Sequence, residues 1–183
     1  VFLNTTIDDM NWESKTVNIN GSTKQYDVII NTIGVDTLFK EELGPLPYLG
    51  RQLDLIVLPV EFAFPGNVYF LYYTGPEKFT RLVEYKKFTK HKDANTLIGM
   101  EIPAMNGGKD YPMPFQWAQK RAQQYINKFP RNCFSMGRAG SYLYGIDIDD
   151  CIRQAINISE SIASGSWDNP IPCLEYRFPE LKE

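Results

Sequence analysis

The sequence predicts a mixed α/β fold in which an antiparallel β-sheet is inserted between two pieces of a second α/β layer. Apolar and polar residues alternate through the middle of the chain, as they do in strands of a half-buried antiparallel sheet. A β-branched run ending at Gly34 precedes this region, and a strand, a glycine-containing turn and a helix follow it. Strand–turn–helix segments of this kind build nucleotide-binding layers, so the flanking segments are interpreted as one such layer.

The segment before the sheet is predicted to contain a hairpin and then a strand. The letters "NGS" at residues 20–22 supply turn residues between two short runs. The run "YDVIINTIG", residues 26–34, predicts a buried strand because it is rich in β-branched residues and ends at a glycine. Residues 35–43 predict a short helical turn, which Gly44 and the nearby prolines end.

The sheet itself is predicted from four alternating or apolar runs, at residues 51–62, 67–74, 79–88 and 95–104. The letters "TGPE" between the second and third runs are turn chemistry. A loop rich in glycine and proline follows at residues 105–114.

Two helices and a short strand are predicted after this loop. Residues 114–129 carry apolar side chains at helical spacing, namely Phe115, Ala118, Ala122, Tyr125 and Ile126. Residues 132–137 predict a short strand. Residues 147–165 predict a second helix, which Asp147 or Asp149 caps and Gly165 ends. The tail from Ser166 is rich in proline and predicted to be irregular.

Composition argues against several classes of partner. The 183-residue chain has a net charge of −3, which gives no support for nucleic acid or an anionic membrane as partner. Its longest apolar run, "LDLIVLPVEFAF", is too short and too interrupted to cross a bilayer. The three cysteines (Cys133, Cys151 and Cys173) lack zinc-site spacing, and their number is odd. We therefore expect reduced thiols, no metal site and a cytoplasmic location.

Two arginines lie where an anionic ligand would suit them. Arg138 follows Gly137 in the turn before the last helix, where a helix N-terminus favours phosphate. The alternation of residues 79–85 places Arg81 on one strand face with Val83 and Tyr85. Each arginine also has a purely structural interpretation. Arg138 would lie in a surface turn, and Arg81 would form an internal ion pair.

Other polar residues give weaker signals. Tyr111 lies beside Pro112, which restricts its backbone. Its hydroxyl either bonds to a ligand such as a phosphate, or its ring only packs against neighbouring side chains. The basic run from Lys86 to Lys92 is predicted to be a solvated loop, and His91 within it is not expected to be catalytic. The sequence shows no nucleophile–base pair and no complete glycine-rich phosphate loop. We therefore predict no catalytic residue in this chain, and chemistry that belongs to a cofactor.

Several segments, in order along the chain, resemble the UDP-galactopyranose mutase family. They are "YDVIINTIGVDTLFKEELGPLPYLGRQL", "YYTGPEKFTRLVEYKKF", "KDYPMP" and "MGRAGSYLYGIDIDDCI". The likeness covers residues 24 to 163. It implies a Rossmann-like FAD-binding domain at 1–45, an antiparallel-sheet substrate domain at 46–110, and a return to the FAD-binding domain with a C-terminal helix at 111–183.

The resemblance also implies a reaction. The family interconverts UDP-galactopyranose and UDP-galactofuranose with reduced FAD, whose N5 attacks the anomeric carbon and displaces UDP. The sugar ring opens, recloses in the other size and is recaptured by UDP. An isomerase of this kind supplies galactofuranose for cell wall or surface polysaccharides. UDP-galactose is the implied partner, and the oligomeric state stays open.

The family's binding residues are carried over by position. Arg81, Tyr111 and Tyr144 match the residues that hold the substrate diphosphate. Arg138 matches the arginine on the FAD pyrophosphate. Asp147 and Ile148 match the pair whose backbone lies along the flavin.

The chain departs from the family pattern in several respects, among them "TIGVD" at residues 32–36 in place of Thr-Gly-Pro-Ile-Asp. Tyr85 replaces a histidine, and Gly145 with Ile146 adds one residue ahead of Asp147. The glycine-rich G-x-G-x-x-G opening and the helical uridine-binding domain are absent from the 183 residues. We therefore expect the C-terminal part of such an enzyme, which alone binds FAD weakly and is inactive.

Two other functions remain open from sequence. One is an FAD-dependent oxidoreductase of the amine-oxidase-like type with the same layout. The other is a non-catalytic sugar-nucleotide-binding module. Arg81 together with Tyr144 favours the mutase over the oxidoreductase, and a flavin that bleaches with dithionite would exclude the module.

Overall fold

A computed structural model describes residues 3–105 and 108–165 of the chain. The chain divides into two compact units, each described by itself below. The first unit comprises residues 3–47 and 111–165, and the second comprises residues 48–110. None of the described helices is both long and apolar enough to cross a bilayer.

The described elements are ten strands and five helices. The strands are β1 (Ile7–Asn11), β2 (Thr16–Ile19), β3 (Ser22–Gln25), β4 (Ile29–Asn31), β5 (Tyr48–Leu58), β6 (Phe70–Tyr72), β7 (Arg81–Glu84), β8 (Thr96–Ala104), β9 (Tyr111–Pro112) and β10 (Cys133–Ser135). The helices are α1 (Val35–Leu38), α2 (Tyr85–Thr89), α3 (Gln116–Ile126), α4 (Gly137–Gly140) and α5 (Ile148–Ser164). The predicted mixed α/β class is confirmed. The predicted tail from residue 166 lies outside the described residues.

The first unit contains two small sheets. Strands β1, β2 and β3 form an antiparallel sheet, and β4 pairs with β10 in parallel. The β2–β3 turn places Asn20 and Gly21 at φ values of 50° and 76°, as a two-residue hairpin of the primed type requires. The predicted hairpin is confirmed, but β1 was missed. The strand predicted at 26–34 is shorter than expected, and Ile30 is exposed rather than buried.

An aromatic cluster forms the core beside α3. Trp12 lies 5.0 Å from Phe129 and 5.3 Å from Phe39, between ring centroids, and Phe39 stacks on Tyr125 at 6.0 Å. The hydroxyl of Tyr125 donates to the Gly44 carbonyl and accepts from the Leu43 N–H, both at 2.8 Å. The helical spacing predicted for α3 is confirmed, since its core-facing residues Ala118, Ala122, Tyr125 and Ile126 are all buried.

The second unit is built on four antiparallel strands in the order β6-β7-β8-β5. Strands β5 and β8 pair over nine positions, from Gly50 with Ala104 to Leu58 with Thr96. The strand predicted at 79–88 ends at Glu84, because residues 85–89 turn into helix α2. Tyr85 therefore leaves the strand face that it was predicted to share with Arg81. Its ring instead covers Gly99, where an added Cβ would lie 2.6 Å from the ring.

Glu84 fixes the junction between β7 and α2. Its carboxylate is fully buried and accepts from the Ala63 and Phe64 N–H groups at 2.8 and 2.9 Å. The Thr96 hydroxyl donates at 2.8 Å, and the Lys87 ammonium lies 3.6 Å away. Burial alone would raise the pKa of Glu84, but these donors outweigh it and hold the pKa below its ordinary value of 4.5.

Helix α2 also corrects the prediction of a solvated basic loop. The ammonium groups of Lys86 and Lys87 are buried and donate to backbone carbonyls of residues 61, 64 and 66 among others. A sequence pattern cannot show this, because the acceptors lie more than twenty positions earlier in the chain. Lys90 and Lys92 remain exposed, as predicted.

The Glu84→Gln variant should destabilise the full chain in a pH-dependent manner. A depressed folded-state pKa stabilises the protein above the unfolded pKa, and this stability is lost as pH falls through the folded pKa. We expect a loss of about 2–3 kcal/mol in unfolding free energy at about pH 7, shrinking towards about pH 3.5. Urea unfolding at both pH values measures it.

Glu77→Gln is the matched control, because Glu77 is exposed. It should change the unfolding free energy by less than about 0.5 kcal/mol. An equal loss for Glu84→Gln at both pH values would contradict the account of Glu84.

Candidate functional site

The turn between β10 and α5 is held by buried polar contacts. The Asn31 amide donates to the Ser135 hydroxyl at 2.7 Å, and that hydroxyl donates to the Gly140 carbonyl at 2.7 Å. A Cβ at Gly140 would lie 2.9 Å from the Ser135 hydroxyl and 3.1 Å from the Asn31 carbonyl, so this position requires glycine. Gly137 has a φ of 77°, and its N–H donates to the buried Gln154 side chain at 2.8 Å. Helix α4, which the sequence did not predict, fills this turn.

Arg138 leaves the turn from α4 and folds back over it. Its Nε and Nη2 donate to the Ile146 carbonyl at 3.3 and 2.9 Å. The guanidinium carbon lies 5.7 Å from the centre of the Tyr144 ring. A cation over an aromatic face is attractive, so Tyr144 helps to fix the direction of the guanidinium.

The structure brings Tyr111 and Tyr144 together. Their ring centroids are 6.0 Å apart with an interplanar angle of 72°, an edge-to-face pair. Tyr144 is about half exposed at 49%, and Tyr111 is half-buried. Three residues predicted from sequence to meet diphosphates, namely Tyr111, Tyr144 and Arg138, thus form one cluster in the first unit.

Asp147 and Ile148 mark the start of α5. The Asp147 carboxylate accepts from the Ile148 N–H at 2.8 Å, and the Asp150 carboxylate accepts from the Asp147 N–H at 3.2 Å. This reciprocal capping box confirms Asp147 as the helix cap. Ile148 is 76% exposed, and Ile152 one turn later is also exposed. Gly165 ends the helix at a φ of 68°, as predicted.

A cavity of about 530 Å³ lies beside the start of α5. Arg138 and Asp147 contribute its polar atoms, and Ile146, Ile148 and Ile152 contribute apolar walls. The arginine suits a phosphate group, and the exposed isoleucines suit an apolar or planar group. The cavity therefore offers a charged contact and an apolar surface side by side.

Arg81, in the second unit, is held by a carboxylate on the neighbouring strand. Its Nη2 donates to both oxygens of Glu101 at 2.7 Å, and its Nη1 donates to the Tyr72 hydroxyl at 3.3 Å. The bond to Glu101 is the main reason that the pKa of Arg81 lies above its ordinary value. The Arg81 Nε is buried and has no hydrogen-bond partner among the described residues.

Sequence analysis missed the partners of Arg81. Glu101 and Tyr72 lie directly across from Arg81 on β8 and β6, so all three side chains share one sheet face. Arg51 also approaches Glu101, with 3.5 Å between Nη1 and the carboxylate. The available signal was Glu101 itself, a lone charged residue within the apolar run of residues 96–104. The ion pair predicted as one alternative for Arg81 is present.

The single histidine and two of the three cysteines lie within the described residues. His91 is exposed. Cys133 and Cys151 are free thiols, while Cys173 lies outside the described residues. Within residues 3–105 and 108–165, no three His, Cys, Asp or Glu side chains are grouped so that they could hold a metal ion.

Comparison with known proteins gave one family and several similar folds. The sequence profile of the UDP-galactopyranose mutase family matches residues 1–144. A search of curated proteins found no match. Among solved structures, a reduced UDP-galactopyranose mutase superposes with a TM-score of 0.69 at 15% identity, covering 87% of this chain and 46% of that one. The PF1083 protein from Pyrococcus furiosus superposes with a TM-score of 0.52 at 16% identity, covering 92% and 48%.

These comparisons show a family and a fold. The chain spans about half the length of the solved structures that it matches. Identities of 15% and 16% carry the fold alone, and the family rests on the profile match.

The pair of Arg81 and Glu101 should show strong energetic coupling. A double-mutant cycle of Arg81→Gln and Glu101→Gln, followed by urea unfolding, should give a coupling energy of about 1–3 kcal/mol, because both hydrogen bonds are charge-assisted and half-buried. The cycle of Arg51→Gln with Glu101→Gln is the control, and we expect about 0–1 kcal/mol for its longer, more exposed contact. Equal coupling in both cycles would contradict the geometry of Arg81.

Proposed function

The chain belongs to the UDP-galactopyranose mutase family, and we propose that it supplies binding residues to an isomerase that interconverts UDP-galactopyranose and UDP-galactofuranose. The family match over residues 1–144 carries this proposal. We assign no catalytic residue to the chain itself. The chain would serve as the C-terminal part of the enzyme, and residues 1–45 and 111–183 would belong to its FAD-binding domain, with residues 46–110 as its substrate domain.

The residues around the start of α5 fit reduced FAD. A dinucleotide needs a cation for its pyrophosphate and an apolar surface for its ring, and the cavity offers Arg138 for the first and the exposed Ile148 for the second. When bound, reduced flavin would supply the nucleophile, which is its nitrogen N5. We assign that role to no side chain of this protein. Asp147 and Ile148 would contribute backbone contacts to the flavin.

Arg81 is proposed to hold the diphosphate of the substrate. Glu101 occupies Nη2, Tyr72 occupies one donor of Nη1 and Nε is buried, which leaves the second Nη1 donor of the guanidinium for a ligand. A charge-assisted hydrogen bond from this Nη1 donor to a diphosphate oxygen would contribute about 1.5–3 kcal/mol. Arg51 beside Glu101 offsets the negative charge, so the group of three carries a net positive charge.

Tyr111 and Tyr144 are proposed as further substrate contacts, contributed by the first unit. Each presents a phenolic hydroxyl, and a phenol donates one hydrogen bond to a phosphate oxygen without adding charge. Their edge-to-face contact restricts both rings. The neighbouring Arg138 adds positive charge to this cluster.

We place this enzyme in the cytoplasm, with UDP-galactose in both ring forms as its small-molecule partner. Burial raises the pKa of the Cys133 thiol, which keeps the thiol protonated and unreactive. Free thiols are ordinary in a reducing compartment. Galactofuranose made there would serve cell wall or surface polysaccharides.

Replacing Arg81 tests the substrate assignment. In the complete flavin-loaded protein, Arg81→Ala should slow conversion of UDP-galactofuranose by about 30- to 1000-fold, which corresponds to about 2–4 kcal/mol. Arg81→Lys should recover only part of the loss, because an ammonium cannot reproduce the planar fork of a guanidinium. Product formation by the dithionite-reduced variants measures both.

Arg153→Ala removes an exposed arginine of α5 and is the control. It should stay within about twofold of the unmodified enzyme. Full activity of Arg81→Ala would reject the substrate assignment. Oxygen consumption with an amine, without any ring interconversion, would instead indicate the oxidoreductase alternative.

Replacing Arg138 tests the cofactor assignment. Arg138→Ala should weaken FAD binding by about 10- to 150-fold, because it removes a charge-assisted contact of about 1.5–3 kcal/mol to the pyrophosphate. Activity per bound flavin should change much less. Flavin absorbance per protein and activity per flavin, measured together, separate the two effects, and unchanged occupancy would remove Arg138 from the cofactor site.

A further inference from the structure

A second cavity, of about 820 Å³, lies wholly within the second unit. Its walls are residues 61–69 on one side and residues 86–92 on the other. Four lysines and a histidine line it against one carboxylate, Glu61. None of the residues that we assign to the substrate or to FAD lines it, so this inference does not rest on the proposed function.

The inner wall holds two buried ammonium groups whose partners are mainly carbonyls. Lys86 Nζ donates to the carbonyls of Glu61 at 2.9 Å, Asn95 at 3.0 Å and Asp93. Lys87 Nζ donates to the carbonyls of Phe64 and Gly66 at 2.6 and 2.8 Å. Glu84, 3.6 Å from Lys87 Nζ, offsets the charge of Lys87. The carbonyl oxygens around Lys86 satisfy its donors but do not cancel its charge, so the wall stays electropositive at Lys86.

An aromatic side chain is held over this wall. The Phe62 ring centre lies 5.1 Å from Lys86 Nζ and 5.7 Å from Lys87 Nζ. These contacts fix the ring in place although 51% of the residue is exposed. Tyr69 adds a second, half-buried ring to the lining. The cavity therefore combines positive charge with flat apolar surface.

The outer rim carries two cations that form no direct ion pair among the described residues. Lys90 ends α2 at a φ of 55°, and Lys92 follows two residues later. Both are exposed, and neither ammonium has an ion-pair partner among the described residues. Two carboxylates besides Glu61 are near. The Glu84 carboxylate accepts from its buried donors, and the Asp93 carboxylate accepts from Asn95 at 2.8 and 3.1 Å. Four lysines against three carboxylates leave the surroundings of the cavity with a small net positive charge.

We propose that this cavity binds a nucleoside phosphate, with its phosphates at Lys90 and Lys92 and its base against Phe62. Two free ammonium groups suit a multiply charged phosphate better than a single carboxylate. A flat exposed ring is the surface on which bases stack without sequence preference. The cavity volume falls within the range of sites for ligands of this size.

Titration calorimetry of the full chain with ATP and with pyrophosphate tests the proposal. Lys90→Gln with Lys92→Gln should weaken binding of both probes by at least about tenfold. Phe62→Leu, which keeps an apolar side chain but removes the flat ring, should weaken ATP by about fivefold and leave pyrophosphate within about twofold.

Two variants control for charge and for other anion sites. Lys78→Gln with Lys120→Gln removes the same charge from exposed positions elsewhere and should leave both affinities within about twofold. Arg81→Ala should also leave ATP binding at this cavity within about twofold, which separates it from the proposed substrate site.

Several results would overturn the proposal. One is an unchanged ATP affinity in the Lys90→Gln, Lys92→Gln double variant. A second is an equal loss of ATP affinity in the Lys78→Gln, Lys120→Gln control. A third is the absence of saturable binding up to about 5 mM ATP. The last measurement is binding of the protein to vesicles of phosphatidylserine in phosphatidylcholine. Binding to these vesicles through Lys90 and Lys92, without any ATP binding, would assign the cations to a lipid surface instead.

Discussion

The buried carboxylate of Glu84 is the constraint on which the second unit depends. An ionised carboxylate in a protein interior is tolerated only when its oxygens are satisfied, and here two backbone N–H groups, a hydroxyl and an ammonium do so. These donors come from residues 63–64, Lys87 and Thr96, which belong to three separate segments. Moving any of them would leave charge uncompensated. The end of β7, the start of α2 and the 61–66 segment are therefore fixed together.

The first unit also buries polar side chains, but these are neutral. Asn31, Ser135 and Gln154 are each buried. Ser135 and Gln154 bond to the turn that follows β10, and Asn31 bonds to Ser135 and to the backbone of Ile33. Gly140 is needed because the Ser135 hydroxyl and the Asn31 carbonyl approach too closely for any Cβ. The direction in which Arg138 leaves this turn thus follows from packing several residues away.

Local signals in the sequence predicted local structure well. The hairpin at Asn20 and Gly21 follows from the left-handed conformations that those residues tolerate, and the capping of α5 by Asp147 follows from its own side chain. The errors have long-range causes. Alternation predicted a strand through Tyr85, but Glu84 binds donors about twenty residues earlier and ends the strand. Glu101 escaped notice because its partner Arg81 becomes a neighbour only through the register of β7 with β8.

Arginine and lysine do different work in the second unit, and their chemistry explains why. Arg81 satisfies Glu101 through Nη2 and keeps one donor of Nη1 available, so the ion pair fixes the position of the guanidinium without using all of its donors. Lys86 has three N–H donors, and three backbone carbonyls accept from them. It therefore adds positive charge but has no donor left for a ligand. An anion near Arg81 can therefore be held by a defined hydrogen bond. An anion near α2 would instead meet the field of the buried lysines and be contacted by Lys90 and Lys92.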